Sequence, residues 1–307
     1  MNTSRKPRLL RWGFLWGFVA LTSLLTLLIN VFGFGQNWLS HYLLGGLINP
    51  TLLANMVLLT VVVGGYLLGI GRLSLRQLGV RLEQLPRALG FTFVLWLLGN
   101  LITASIGVLT DSLQWHPMWT QQGLLTILGW LVGQLFGNAL YEEIAYRGFL
   151  LSYTVSLSLT AHRSRQQSQQ RRFVFAVLTS QLLFALAHIP NRLIVDALPL
   201  GHALLSLLPL WLLGVLFAWS YWHTGNLLLV VGVHGLLNTP TLLVANAAST
   251  ITSYLLLGLA LLGIALYPLW FKRNNDRPTA LETSTREHSE HTNPQDTNQN
   301  NGRAFGA

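Results

Sequence analysis

The sequence predicts an all-α protein, a polytopic transmembrane helix bundle of about eight spans, and three observations carry that expectation. Only 9% of the 307 residues are charged and 51% are hydrophobic, whereas a soluble domain carries about 25% charged residues. The mean hydropathy is +0.47. The apolar residues gather into eight runs, at 12–32, 51–71, 88–109, 123–144, 173–190, 203–221, 227–246 and 251–271, each near the ~20 residues that a helix needs to cross a bilayer. Finally, the Lys and Arg residues lie between the runs and are concentrated in alternate gaps.

Taken in order, the first run follows the basic segment RKPRLLR. It exceeds the roughly 7–15 apolar residues of a secretory signal and no A-x-A site follows it, so it is read as a retained span. Arg5, Lys6, Arg8 and Arg11 precede it; Arg72, Arg76, Arg81 and Arg87 separate the second and third runs. The next gap, TDSLQWHPMWTQQG, has no basic residue, and the one after it, HRSRQQSQQRR, has Arg163, Arg165, Arg171 and Arg172. The gap after the fifth run holds only Arg192, and five basic residues follow the last run. Positive charge accumulates on the cytoplasmic side of membrane proteins. Eight spans with this bias place both termini in the cytoplasm.

The chain divides into an N-terminal membrane region of about three spans (1–122), a helical core (123–271) and a tail (272–307). The tail is rich in Asn, Thr, Gln and charge, too polar to bury a core, and is expected to be a disordered cytoplasmic segment. Several function classes fall away at this level. There is no cysteine, hence no disulfide, thiolate metal site or cysteine nucleophile. The net charge of +9 follows from membrane topology, and nucleic acid is not an expected partner. No G-x-x-x-x-G-K-[ST] phosphate loop and no H-E-x-x-H zinc helix is present.

Three ionisable residues break the pattern. GNALYEEIAYRGFLLSYTV, residues 137–155, places Glu142, Glu143 and Arg147 within an otherwise apolar run. Asp, Lys or Arg at the centre of a spanning helix costs about 2.5–3.5 kcal/mol on insertion scales, so such groups mark functional sites by default. Glu143 and Arg147 are four apart and share a helix face, where they can pair; Glu142 is rotated by about 100° and is left available as a proton acceptor. A plain interhelical salt bridge is the simpler use of the same charges. FALAHIP then places Phe184 and His188 on one face of the fifth run, and VHGLLNTP places His234 and Asn238 on one face of the seventh. Each is individually a common helix–helix hydrogen-bond partner. Together, converging from three spans, they would give a polar cavity able to activate water and stabilise an oxyanion.

E-E-x-x-x-R at 142–147, F-x-x-x-H at 184–188 and H-x-x-x-N at 234–238, in that order on successive apolar segments, resemble the three motifs of the CPBP family of CAAX prenyl endopeptidases and bacteriocin-processing or Abi-type proteins. The resemblance covers about residues 123–245. It implies an intramembrane endopeptidase acting on membrane-associated protein or peptide substrates, with the lipid bilayer as its setting. By the same resemblance Glu142 and His188 activate the hydrolytic water, His234 and Asn238 stabilise the tetrahedral intermediate, and Glu143, Arg147 and Phe184 support the site. The family has been described both as metal-dependent and as metal-free. The metal-free reading is favoured, with no cofactor; if zinc were used, its ligands would be Glu142, His188 and His234. The same buried charges would also serve a proton-coupled transporter, or survive in a non-catalytic scaffold or immunity factor.

One difficulty is visible in the spacing. With helix starts at 123, 173 and 227, a rise of 1.5 Å per residue puts Glu142 near the basic end of its run, His234 about 10 Å in and His188 about 22 Å in. The three depths agree only if the fourth and fifth runs project beyond the membrane as a hairpin, which the apolar LLSYTVSLSL permits.

Overall fold

The computed structural model describes residues 12–39, 46–160 and 167–270. The basic N-terminal cluster, Arg163, Arg165 and the polar tail lie outside them. Seven helices are long and apolar enough to cross a bilayer: α1 (Trp12–Gly35), α2 (Pro50–Ile70), α3 (Leu82–Leu109), α4 (Leu124–Leu157), α5 (Phe173–Val195), α6 (Leu200–Thr224) and α8 (Thr250–Tyr267). A shorter helix, α7 (Leu227–Asn238), lies between α6 and α8. The chain is thus a multi-pass integral membrane protein. Its outward face carries large apolar side chains such as Leu109, Leu205 and Phe93, at 85%, 73% and 60% exposure, a surface that lipid, unlike water, solvates well.

Local sequence explains the helix ends. Asn49 caps α2 by accepting a hydrogen bond from Leu52 N, with Pro50 in the first turn; its amide also donates to Gly129 O at 2.6 Å, joining α2 to α4. α6 stops at Gly225, whose φ of +65° suits glycine. Asn226 immediately caps α7, accepting from Leu229 N and donating to Gln84 O at 3.4 Å. One asparagine therefore starts α7 level with the start of α3.

The seventh run, expected as a span over 227–246, is not one helix. Pro240 disfavours helical backbone at the residue before it, and α7 ends at Asn238. At 1.5 Å per residue, twelve residues reach about 18 Å, short of the ~30 Å hydrocarbon core. The chain completes the distance in extended form beside α3. Trp96 Nε1 donates to Thr241 O (3.1 Å), Leu243 N donates to Asn100 Oδ1 (2.7 Å) and Asn246 Nδ2 donates to Thr103 O (2.9 Å). β2 (Val244–Ala245) then pairs antiparallel with β1 (Gln114–Trp115), beyond the far end of α3. Non-helical backbone is tolerated at membrane depth only when protein satisfies it, and α3 supplies the partners.

The fourth run also differs from expectation. The run is set at 123–144, yet α4 continues to Leu157, through the apolar LLSYTVSLSL that permits a projecting hairpin. Arg147 is neutralised inside the protein, and the helix has no reason to stop there. Its 34 residues span about 51 Å, and it packs against α2, α5, α6 and α7. All nine residues of Glu143–Leu151 are buried. α1 closes one side with Phe14 and Phe18 against Phe149 and Tyr153. The segment between α2 and α3 closes the basic end: Leu78 is 1% exposed, and its carbonyl lies against the Cα of Gly148, where a Cβ would collide.

That contact resolves the depths. Glu142 lies six residues, about 9 Å, inward from Gly148, and His234 lies seven residues, about 10 Å, inward from the start of α7. The α4–α5 hairpin extends past this level, so His188, about 22 Å from residue 173, arrives at the same depth.

Candidate active site

Three elements deliver the polar groups, and α4 delivers most of them. Over Glu143–Leu151 its turns widen to i→i+5 hydrogen bonding, a local geometry frequent at functional sites. Glu142 precedes that stretch and Glu143 opens it. The two neighbouring carboxylates point to different partners.

Glu143 is fully buried and its Oε1 accepts two hydrogen bonds, from Arg147 Nη1 at 3.0 Å and from His234 Nδ1 at 2.8 Å. Arg147, also fully buried, donates from Nη2 to Gly214 O on α6 at 3.4 Å. Its guanidinium stands over the rings of Phe184 (4.3 Å to the centroid) and Phe217 (5.3 Å), an arrangement in which the aromatic quadrupole assists the charge. This ion pair ties α4 to α5, α6 and α7 at once.

Glu142 is 8% exposed and sits between the imidazoles. Its Oε1 is 3.6 Å from His188 Nε2 and its Oε2 is 3.6 Å from His234 Nε2. These separations slightly exceed a direct hydrogen bond, and catalytic contacts are often long without substrate. Each ring is held by its other nitrogen. His188 Nδ1 lies 3.0 Å from Phe184 O, with the Phe184 ring edge-on at 4.9 Å. His234 is held through Nδ1 by Glu143 and stacks on Phe217 at 4.6 Å. Both rings therefore direct Nε2 at Glu142. The His188 side chain, at 22% exposure, is the most open of the three.

Asn238 stands apart. It is exposed, and its Nδ2 donates to Gln134 Oε1 on α4 at 3.1 Å. It lies one turn beyond His234, at the last residue of α7. The structure gathers Glu142, Glu143, Arg147, Phe184, His188 and His234 into one cluster and leaves Asn238 at its margin. Three participants were missed in the sequence. Gln134, a polar residue eight before Glu142 in an apolar run, carried a signal in its spacing. Gly214, where a Cβ would lie 3.0 Å from Phe184 Cδ1, and Phe217 carried none.

The zinc alternative can be tested on this geometry. Among the described residues no three His, Cys, Asp or Glu side chains are arranged to hold a metal ion. The two Nε2 atoms approach different oxygens of Glu142. The remaining carboxylate, Glu143, is already engaged by Arg147 and His234. The side chains as placed do not fit a zinc centre, and the chemistry below uses none.

A comparison with protein families matches residues 123–240 to the family described as type II CAAX prenyl endopeptidase Rce1-like. Residues 123–240 form an Rce1-like domain. The family is one of hydrolases, and a membrane protease family implies a membrane setting and protein substrates. The match runs from the cap of α4 to the proline that ends α7, and it contains all three motifs. Comparisons with curated proteins and with solved structures gave no match.

Proposed function

We propose that the Rce1-like domain is an intramembrane endopeptidase that cleaves membrane-associated protein or peptide substrates, CAAX-like sequences among them, with Glu142 and His188 activating water and His234 with Asn238 stabilising the oxyanion. The observation that carries this reading is the placement of Glu142 between two imidazole Nε2 atoms, one facing each carboxylate oxygen at 3.6 Å. A water held by Glu142 attacks the carbonyl carbon of the scissile bond and gives its proton to the carboxylate. The carbonyl becomes a tetrahedral oxyanion. When it collapses, the C–N bond breaks and the proton passes to the leaving nitrogen, directly or through the more open His188, leaving a new carboxyl group and a free amine.

Glu143 and Arg147 serve by position. Glu143 occupies Nδ1 of His234, so Nε2 is the nitrogen that faces the reacting atoms; it donates to the oxyanion when the ring carries its second proton. Asn238 has two N–H groups, of which one meets Gln134 and the other is free for the oxyanion. Loss of one donor of this kind typically costs about 2.7–4 kcal/mol in the transition state.

The test is reconstitution of the purified protein in liposomes with a library of membrane-anchored peptides, prenylated and unprenylated, read by mass spectrometry for new termini. Cleavage supports the endopeptidase. Proton flux through the liposomes without any cleavage would favour the transporter that the buried charges also permit.

A further inference from the structure

The two helices that bear Glu142 and His234 also carry amide side chains whose hydrogen-bonding capacity is only partly used. Gln134, Asn138 and Glu142 follow one another at intervals of four, close to one face of α4. Across the seam, Asn238 Nδ2 donates to Gln134 Oε1 at 3.1 Å, and one turn back along α7 His234 directs Nε2 at Glu142. The seam is tight there: a Cβ on Gly235 would strike the Leu135 side chain, so the backbones approach closely and hold the two pairs in register.

Each carboxamide has two N–H donors and a carbonyl acceptor. The single bond between Gln134 and Asn238 leaves the N–H groups of Gln134 and the carbonyl of Asn238 unused, and Asn138 has no side-chain partner among the described residues. Turning both amides over still leaves donors and an acceptor. Gln134 lies ten residues, about 15 Å, from the start of α4, and Asn238 lies about 17 Å from the start of α7 at the opposite end of the bundle, so the pair sits near the middle of the ~30 Å hydrocarbon core. Lipid tails satisfy none of these groups. Asn238 is exposed, and Gln134 and Asn138 are half-buried, so their unused donors and acceptors face whatever lies against the seam.

An extended peptide has the matching need. A scissile bond must leave its helix before water can reach it, and each N–H and C=O freed in this way inside the bilayer requires a partner. From Glu142 to Gln134 is eight residues of helix, about 12 Å, the length of about four extended residues.

We propose that Gln134 and Asn138, with the carbonyl of Asn238, form a subsite that hydrogen-bonds the main chain of the substrate beside the scissile bond, and that its occupant is the membrane-embedded part of the substrate in extended form. The subsite rests on the endopeptidase reading and deepens it: recognition runs through main-chain groups and tolerates many side-chain sequences.

Because the chain has no cysteine, occupancy can be read without cleavage. Gln134→Cys is placed in a Glu142→Gln background, which leaves peptides intact, and reconstituted with membrane-anchored peptides that each carry one cysteine; disulfide formation under a mild oxidant is compared with that of Phe136→Cys, a position two residues away and 59% exposed in the wild type. The expected result is cross-linking at least tenfold faster at 134, and equal rates at 134 and 136 would overturn the subsite. A second measurement reads the hydrogen bonds. In a cleaved peptide, single main-chain N–H groups within four residues of the scissile bond are replaced by ester oxygens. Wild-type protein is expected to lose about tenfold in kcat/KM at one or two of these positions, the worth of one hydrogen bond. Gln134→Leu, or Gln134→Met if the first does not match the wild-type melting temperature, is expected to cut the parent peptide about tenfold less efficiently and to be indifferent to the ester at one of those positions. An ester penalty of the same size in variant and wild type, or none at any position, would overturn the proposal, because a merely structural role for Gln134 would leave the penalty unchanged. Failure of the endopeptidase reading would look different: the wild type would cut no peptide, whatever the cross-linking rates at 134 and 136.

Discussion

Glu142 and Arg147 are both buried charges on one helix, yet their environments assign them opposite consequences. Arg147 is held by one carboxylate, one carbonyl and two aromatic faces, and removing it leaves Glu143 with His234 alone. Breaking a buried pair from one side typically costs about 3–5 kcal/mol. Arg147→Ala is therefore expected to lower the thermal unfolding midpoint sharply or to abolish accumulation of folded protein, as measured by detergent-stable monomer on size exclusion. Metal dependence is a second test at this scale. Activity of exhaustively metal-stripped protein, checked by elemental analysis, is expected to equal that of untreated protein; activity lost on stripping and restored by stoichiometric zinc would require Glu142, His188 and His234 to rearrange into a ligand set. The residues of the cluster were legible in the sequence because lipid makes any polar group conspicuous. Phe217 and Gly214 were not, since an aromatic ring or a glycine in an apolar helix looks the same whether it cradles an arginine or faces a fatty acid.

Among the elements, α4 and α7 carry the largest departures from the hydropathy pattern. Periodicity and length marked where apolar helices lie and paired Glu143 with Arg147, but they did not set the end of α4, which runs on to Leu157. Nor could they show that the last part of the seventh run is satisfied by α3 side chains and not by its own helix. Asn100, Thr103 and Trp96 looked incidental until the segment that needs them was placed. The tight approach of Leu78 to Gly148 gives a sharp test of the basic end. Gly148→Ala drives a Cβ into a backbone carbonyl, which cannot rotate away as a side chain would. Overpacking of this sort costs about 1–3 kcal/mol, and the variant is expected to unfold earlier in a thermal ramp and to make the segment around Leu78 more accessible to protease. Wild-type behaviour in both would mean that this segment is not seated on α4.

Across the whole molecule, the Rce1-like domain is covered by helices that lie outside the family match. α1 shields the buried middle of α4, α2 clamps it through Asn49 and Gly129, and α3 completes the seventh traverse. The arrangement keeps the basic residues Arg72, Arg76 and Arg81 at the end of the bundle nearest the cluster, about 10 Å from it by helical rise. We infer from the charge bias that this end is cytoplasmic. In the cysteine-free background, Leu75→Cys is expected to react with an impermeant maleimide only from the cytoplasmic side and Gln122→Cys only from the opposite one; the reverse pattern would invert the orientation.

The central claim is that Glu142 delivers water to a peptide carbonyl, and cleavage in H₂¹⁸O tests it most directly. Wild-type protein and Glu142→Gln, matched for melting temperature, are compared on one membrane-anchored peptide in a single turnover, with the products weighed by mass spectrometry. The expected outcome is one ¹⁸O in the new carboxyl group for the wild type and a rate at least a hundredfold lower for Glu142→Gln, consistent with the ~10²–10⁴-fold worth of general acid–base catalysis. Cleavage by Glu142→Gln at the wild-type rate, with the same isotope incorporated, would contradict the account.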